Sequence, residues 1–209
     1  EFRRVLFRSV VAKPQVRRHD GDVTIVAIVL AAGAGSRFSG PTHKLLAPFR
    51  GRTVVERAVA AARDAAIGPV IVVSGAVDLP NFANPGSNVT VVHNPRWADG
   101  QATSLQVGLT QARTLGATSV VVGLGDQPLV VADAWRSVAR VSSPIGVATY
   151  DGQRGNPVKL DESVWPDLPT TGDFGARHLI RLRPELVSEV ACAGSSADID
   201  TQEDLDRWI

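Results

Sequence analysis

The sequence predicts an α/β fold, a three-layer α/β/α sandwich of Rossmann-like type around a mainly parallel sheet. Three observations predict it. An unbroken apolar run, Ile25 to Ala32, stops at a glycine-rich loop. Apolar runs without alternation suit strands buried on both faces, as in a parallel sheet covered by helices. Further short apolar runs then alternate with helix-period segments at the spacing of βα units.

Taken in order, Thr53 and Glu56 form a capping box that opens an alanine-rich helix, with Val55, Ala58, Val59, Ala62 and Ala66 on one stripe. Gly68-Pro69 closes it. Val70–Ser74 and Val89–His93 read as the next strands, separated by a Pro/Asn/Gly-rich connection at 78–88. A loop, Asn94 to Gln101, leads into a helix expected to carry Leu105, Leu109, Ala112 and Leu115 inward. Ser119–Leu124 is a buried strand that ends in Gly125-Asp126-Gln127-Pro128. A helix is expected over 132–142, strands near 145–150 and 156–160, a helix over 173–182, a strand over 186–191 and a last helix after Thr201. No internal repeat or second-domain linker interrupts this, so 23–209 reads as a single domain.

The 209 residues suit one domain with a sizeable core. The net charge of +1 hides an asymmetry: residues 1–22 hold six Lys/Arg against three acids, leaving 16 basic and 18 acidic residues in the rest. The body therefore gives nucleic-acid binding no support. One cysteine, Cys192, excludes an internal disulfide and fits a reducing, cytoplasmic compartment. No apolar run approaches the roughly 20 residues of a membrane span. Residues 1–22 are set apart as a leader, expected to be disordered or a cloning remnant, because Arg4 and Arg8 interrupt any secretory h-region.

The glycine-rich loop carries Gly33, Gly35, Ser36, Arg37, Ser39 and Gly40, followed by Lys44. Small residues leaving a buried strand let backbone N–H groups approach an anion, and Arg37 and Lys44 add positive charge. A plain strand–turn–helix connection with surface charge is the alternative. Two common nucleotide fingerprints fail. Phe38 stands where G-x-G-x-x-G/A needs a small residue, and no GK[ST] occurs in the chain.

Asp126 follows an otherwise apolar strand at its carboxyl end, where ligands of open α/β sheets gather. Pro128 fixes the path of the turn. An Asx-type turn is the competing explanation. Asp198 and Asp200, if extended, lie on one face, though Thr201 with Asp204 also reads as a helix cap. Two carboxylates together with a substrate phosphate would satisfy Mg²⁺, which takes few protein ligands and keeps several waters.

Read together, LAAGAGSR, NPRWADGQATSL, GDQPL, RGNPV, GDFGAR and DIDTQEDL resemble the successive motifs of molybdenum cofactor cytidylyltransferases, within the MobA-like nucleotidyltransferases. The resemblance runs from about Ile25 to Leu205. It implies a nucleotide-diphospho-sugar transferase type of fold and transfer of CMP from CTP to the phosphate of a molybdopterin-type cofactor, with pyrophosphate released. It also implies a phosphorylated pterin acceptor and a molybdoenzyme that receives the product.

By the same resemblance, Leu30, Ala31, Ala32, Gly33, Gly35, Ser36, Ser74, Gly100, Ser104 and Gly125 would hold the nucleotide, with Arg37 and Lys44 on the triphosphate. Asp126, with Asp198 or Asp200, would hold Mg²⁺. The chain departs from the pattern in the six residues between Arg37 and Lys44, and at Gln101, Asn156 and Gln202. Ala32 leans towards the cytidylyl branch. The rivals are guanylyl transfer, a sugar phosphate or methylerythritol phosphate acceptor, and a non-catalytic protein that binds and delivers cofactor. His19, His43, His93 and His178 have no metal-ligand spacing. Cys192, Trp135 and Trp208 read as packing residues, and Trp97 as better placed to touch a ligand.

Overall fold

The computed structural model describes residues 24–82 and 87–209, so the leader and the middle of the 78–88 connection lie outside the described residues. The strands are β1 (Ile25–Ala31), β2 (Pro48–Phe49), β3 (Arg52–Thr53), β4 (Val70–Ser74), β5 (Val89–His93), β6 (Ser119–Leu124), β7 (Ile145–Tyr150), β8 (Gln153–Asp161) and β9 (Val187–Ala191). The helices are α1 (Val54–Asp64), α2 (Gln101–Thr114), α3 (Ala132–Ala139), α4 (Arg177–Leu182) and α5 (Gln202–Trp208). Among the described residues the main sheet has seven strands in the order β5-β4-β1-β6-β8-β7-β9. All are parallel except β8, which runs against both neighbours.

Alternation along β1 builds the three layers. Val26, Ile28 and Leu30 face the core shared with Leu105 and Leu109 of α2, while Ala27, Val29 and Ala31 face Val55 and Val59 of α1 and Trp135 of α3. Both faces are covered, which is why the strand reads as a continuous apolar run. The small Gly108 lets α2 lie close to the sheet: a Cβ there would stand 2.9 Å from the Ile28 side chain. A third, smaller cluster joins Phe49 and Val54 to Ile199 and Leu205, fastening the C-terminal segment beside the β2–β3 hairpin.

The chain leaves β1 towards β4 on one side, while β6 lies on the other. The carboxyl ends of β1 and β6 thus form the topological switch point, where open α/β sheets bind ligands.

Several elements differ from the sequence-based expectation. The short β2–β3 hairpin is too brief to carry a period. Leu115 is 43% exposed, because α2 ends at Thr114 and turns it outward. Ala66 lies beyond α1, at φ +53, and is exposed. The helix expected over 132–142 ends at Ala139. The one expected over 173–182 starts only at Arg177, since Gly172 and Gly175 take positive φ and keep the preceding turn non-helical. The strand expected near 156–160 is longer, and Cys192 is only partly buried. No helix among the described residues is long and apolar enough to cross a membrane.

Candidate active site

Lys44 is placed by a single 3₁₀ turn, Lys44–Leu46. His43 caps it: Nδ1 accepts from the Leu45 N–H at 3.2 Å, and Nε2 donates to the Gly33 carbonyl at 3.2 Å. Burial lowers the His43 pKa, so the ring is neutral at physiological pH. This contact closes the six-residue excursion after Arg37 back onto the glycine loop. Gly35 sits beneath it, at φ +61, where a Cβ would stand 3.0 Å from His43 Nε2. Sequence reasoning gave His43 no role, and the lack of metal-ligand spacing concealed this one.

The Lys44 ammonium donates to Asp126 Oδ2 at 2.6 Å and to Asp200 Oδ1 at 2.8 Å. Burial alone would lower its pKa. The charge and hydrogen bonds of Asp126 and Asp200 outweigh burial and hold it above the ordinary lysine value. Arg37 reaches the other Asp200 oxygen at 2.9 Å from an exposed position. The Ile199 N–H donates to the Asp126 carbonyl at 2.9 Å, tying the C-terminal segment to the end of β6.

Asp198 points elsewhere. Its Oδ1 accepts from Gln127 Nε2 at 2.9 Å, and that amide also donates to the Ser196 carbonyl. Burial, then the nearby Asp126 charge, raises the Asp198 pKa. Only Asp200 of the pair shares the ammonium with Asp126. Gln127, 3% exposed, was not singled out in the sequence, although it lies next to Asp126.

Two adjoining cavities meet at Asp126. The first, ≈ 220 Å³, is lined by Gly33, Gly35, Ser36, Arg37, Lys44 and Asp200, with Leu30 and Ala31. The second, ≈ 290 Å³, is lined by Ala32, Trp97, Gly100, Gln101, Ser104 and Asp173. Both share Leu30, Gly33 and Asp126. Charge is therefore concentrated in the first cavity, which holds Arg37, Lys44, Asp126 and Asp200, while the second has Asp126 and Asp173. Its Ser104 hydroxyl is fixed by Asn94, a buried side chain that donates to both Thr103 Oγ1 and Ser104 Oγ at 2.9 Å.

Two expected nucleotide residues line neither cavity. The Ser74 hydroxyl lies against the Val92 carbonyl and His93 at 3.4 Å, so it serves the β4–β5 edge. Gly125 packs on β1, where a Cβ would come 2.8 Å from the Ala31 Cβ. Its N–H donates to the Leu30 carbonyl, so it sets the approach of Asp126 to the loop.

The wall of the second cavity is a backbone clasp. The Ala102 N–H donates to the Gly172 carbonyl at 2.9 Å, and the Gly172 N–H to the Asp99 carbonyl at 3.0 Å. A Cβ on Gly100 would stand 2.4 Å from the Gly172 carbonyl carbon. Two motifs far apart in sequence, ADGQ and TGDFG, thus form one structural unit.

A family model for the MobA-like NTP transferase domain matches residues 27–190. The chain is 33% identical to nicotine blue oxidoreductase of Paenarthrobacter nicotinovorans, over 88% of this chain and 96% of that protein. It is 27% identical to the purine catabolism protein PucB of Bacillus subtilis, over 87% and 94% of the two chains. The crystal structure of Rv0371c from Mycobacterium tuberculosis superposes with a TM-score of 0.73 at 31% identity, covering 89% of this chain and 97% of that one. A structure of the same protein in complex with manganese gives a TM-score of 0.69 at 29% identity, covering 89% and 98%.

Proposed function

The chain belongs to the MobA-like NTP transferase family, and on that premise we propose that it moves CMP from CTP onto the phosphate of a molybdopterin-type cofactor, releasing pyrophosphate. The observation that carries the reading is the Lys44 ammonium, held between Asp126 and Asp200 beside the glycine-rich loop at the sheet's switch point.

Attack at the α-phosphorus requires in-line alignment and cover for developing negative charge. Lys44 and Arg37 supply that cover from one side of the first cavity. Gly33, Gly35 and Ser36 line the same cavity, and such small residues would let backbone N–H groups approach phosphate oxygens. The second cavity, with Ala32, Trp97 and Ser104, suits a nucleobase and sugar. The nucleophile is already an anionic phosphate, so no Ser–His–Asp or Cys–His set is required.

The donor chemistry at the site suits a divalent cation. Two carboxylates, Asp126 and Asp200, converge on one positive charge. Among the described residues no group of three or more His, Cys, Asp or Glu side chains could hold a metal unaided. Asp126 and Asp200 would therefore hold Mg²⁺ jointly with substrate phosphates. When bound, the ion neutralises phosphate charge and polarises the reacting phosphorus. We read the chain as acting in the cytoplasm and handing its product to a molybdoenzyme.

A second reading has one observation in its favour. The relative from Paenarthrobacter nicotinovorans is named as an oxidoreductase acting on nicotine blue, so redox chemistry on this fold is the competing function. One pair of assays separates them. Pyrophosphate release from CTP with molybdopterin and Mg²⁺ supports the transferase. Reductant consumption with nicotine blue, without pyrophosphate release, overturns it. A thermal-shift series with each nucleoside triphosphate decides the base, a GTP-selective shift favouring guanylyl transfer.

A further inference from the structure

His43 stands immediately before Lys44, at the end of the six residues by which this chain departs from the motif pattern. Nothing in the proposed transfer gives it a task. The excursion is anchored at its start by Phe38, whose N–H donates to the Gly35 carbonyl at 2.9 Å and which packs against the third core cluster. Ser39, Gly40, Pro41 and Thr42 have no hydrogen bond among the described residues. The path of the stretch therefore depends on its far end, and that end is His43.

The ring bonds in two directions at once. Nδ1 accepts from the Leu45 N–H at 3.2 Å, and Nε2 donates to the Gly33 carbonyl at 3.2 Å. One bond belongs to the turn that carries Lys44, the other to the glycine loop that lines the same cavity. Leu45, 2% exposed, plugs the turn into the core. Among the described residues, however, no other hydrogen bond links residues 44–46 to the loop at 33–37.

This pair of bonds requires one form of the ring. With its proton on Nε2, a neutral imidazole donates at one nitrogen and accepts at the other. A second proton would stand on Nδ1, facing the Leu45 N–H, and two donors cannot bond each other. Protonation thus undoes the bond to the turn and spares the bond to the loop. The surroundings hold the ring neutral. Burial, the largest effect, and the Lys44 ammonium both oppose a positive ring and keep its pKa below the ordinary 6.5. Gly33, Ala34 and Gly35 beside the ring carry no titratable group, and Arg37 of the same loop is turned to Asp200.

We propose that His43 is a positioning residue for Lys44: its neutral ring latches the 3₁₀ turn to the glycine loop, and opening of that latch in acid weakens the hold of Lys44 on a polyphosphate. The latch rests on geometry, and its use for a nucleoside triphosphate rests on the nucleotidyl-transfer reading. It is complete above the ordinary histidine value of 6.5 and opens as pH falls through the lower folded one.

The test compares the full chain with His43→Ala and His43→Asn, each checked for folding by circular dichroism. The probe is inorganic tripolyphosphate with Mg²⁺, titrated by calorimetry, since it engages the charged cavity without a base or an acceptor. At about pH 7.5, His43→Ala should bind it roughly five- to tenfold more weakly, because a ligand that needs the latched turn binds in proportion to the fraction latched. Asparagine caps a turn and does not titrate, so His43→Asn should recover part of that loss. Near pH 5 the advantage of the wild type over His43→Asn should vanish. Protonation of the probe is common to both proteins and cancels in their ratio.

Nitrogen NMR of labelled histidine should place the His43 proton on Nε2. The Leu45 amide should lose its exchange protection factor over the same acid range, and in His43→Ala at neutral pH. An affinity ratio constant with pH, a Leu45 amide equally protected in His43→Ala, or a wild type that does not bind tripolyphosphate overturns the proposal. His43-dependent tripolyphosphate binding in a chain that releases no pyrophosphate from CTP would keep the latch and sink nucleotidyl transfer. Normal pyrophosphate release, with tripolyphosphate bound equally by His43→Ala and the wild type, would do the reverse.

Discussion

Asp126 and Asp200, from opposite ends of the second half of the chain, bind the same ammonium: Lys44 Nζ lies 2.6 Å from one and 2.8 Å from the other. The Lys44 side chain is 9% exposed, against 20% and 22% for the two carboxylates. Lys44→Met would leave two half-buried carboxylates facing each other without a counter-charge. We expect it to lower stability by about 1–3 kcal/mol, the cost of stranding hydrogen-bonded charged groups. Added Mg²⁺ or Mn²⁺ should recover part of this loss by taking the ammonium's place. Urea melts with and without divalent ion check both effects, and ion-independent melts would count against the two aspartates as the metal site.

The Lys44 pKa gives the sign of an alkaline effect. Its folded value lies above the ordinary 10.5. Its contribution is therefore fully present below about pH 10.5 and is lost as pH rises through the higher folded value. The wild type should lose stability there, and Lys44→Met should lack that part of the alkaline limb. Melts from pH 8 upwards would show the difference.

Asp126→Asn keeps shape and removes charge. We expect turnover to fall by about 10²–10³-fold, as when one electrostatic partner of a transition state is deleted. The circular dichroism spectrum should be unchanged. Retained pyrophosphate release would remove Asp126 from the reaction.

The start of α1 is independent of the site. Thr53 Oγ1 accepts from the Glu56 N–H, and Glu56 accepts in return from the Thr53 N–H. Thr53→Ala should cost about 1 kcal/mol. Hydrogen bonding to the Thr53 backbone lowers the Glu56 pKa. Stability from this group is therefore present above its unfolded value and lost as pH falls through the folded one. Glu56→Gln should flatten that acid limb in denaturant melts near pH 4.

Gly100 takes φ +105 with the Gly172 backbone where a Cβ would stand. Gly100→Ala should cost about 1–3 kcal/mol through overlap and strain. It should also loosen the 172–175 turn from α2. Hydrogen exchange at the Gly172 and Ala102 amides measures that directly, and unchanged protection would show that the clasp tolerates a side chain.

How much of this was legible in the sequence differs from element to element. β4, β5 and β6 were readable to the residue and β1 to within one, because an apolar run and the turn that stops it are local. The Thr53–Glu56 cap was readable for the same reason. Leu115 and Ala66 were placed on helix faces although they lie one and two residues past the helix ends, since periodicity continues in sequence after the hydrogen-bonded ladder has ended.

The glycine loop, Arg37, Lys44 and Asp126 could be named from local pattern, and the structure brings them to one cavity. What no window of sequence contained was the choice between Asp198 and Asp200. That choice was made by partners distant in sequence, Gln127 for Asp198 and Lys44 for Asp200. Nor could it show that Gly100 meets Gly172. Composition and periodicity determined the layers, the strands and the chemical kinds of residue available, because those depend on neighbours along the chain. Which of those residues share a charge, a wall or a ligand was decided only when the sheet order and the C-terminal segment brought distant positions within hydrogen-bonding distance.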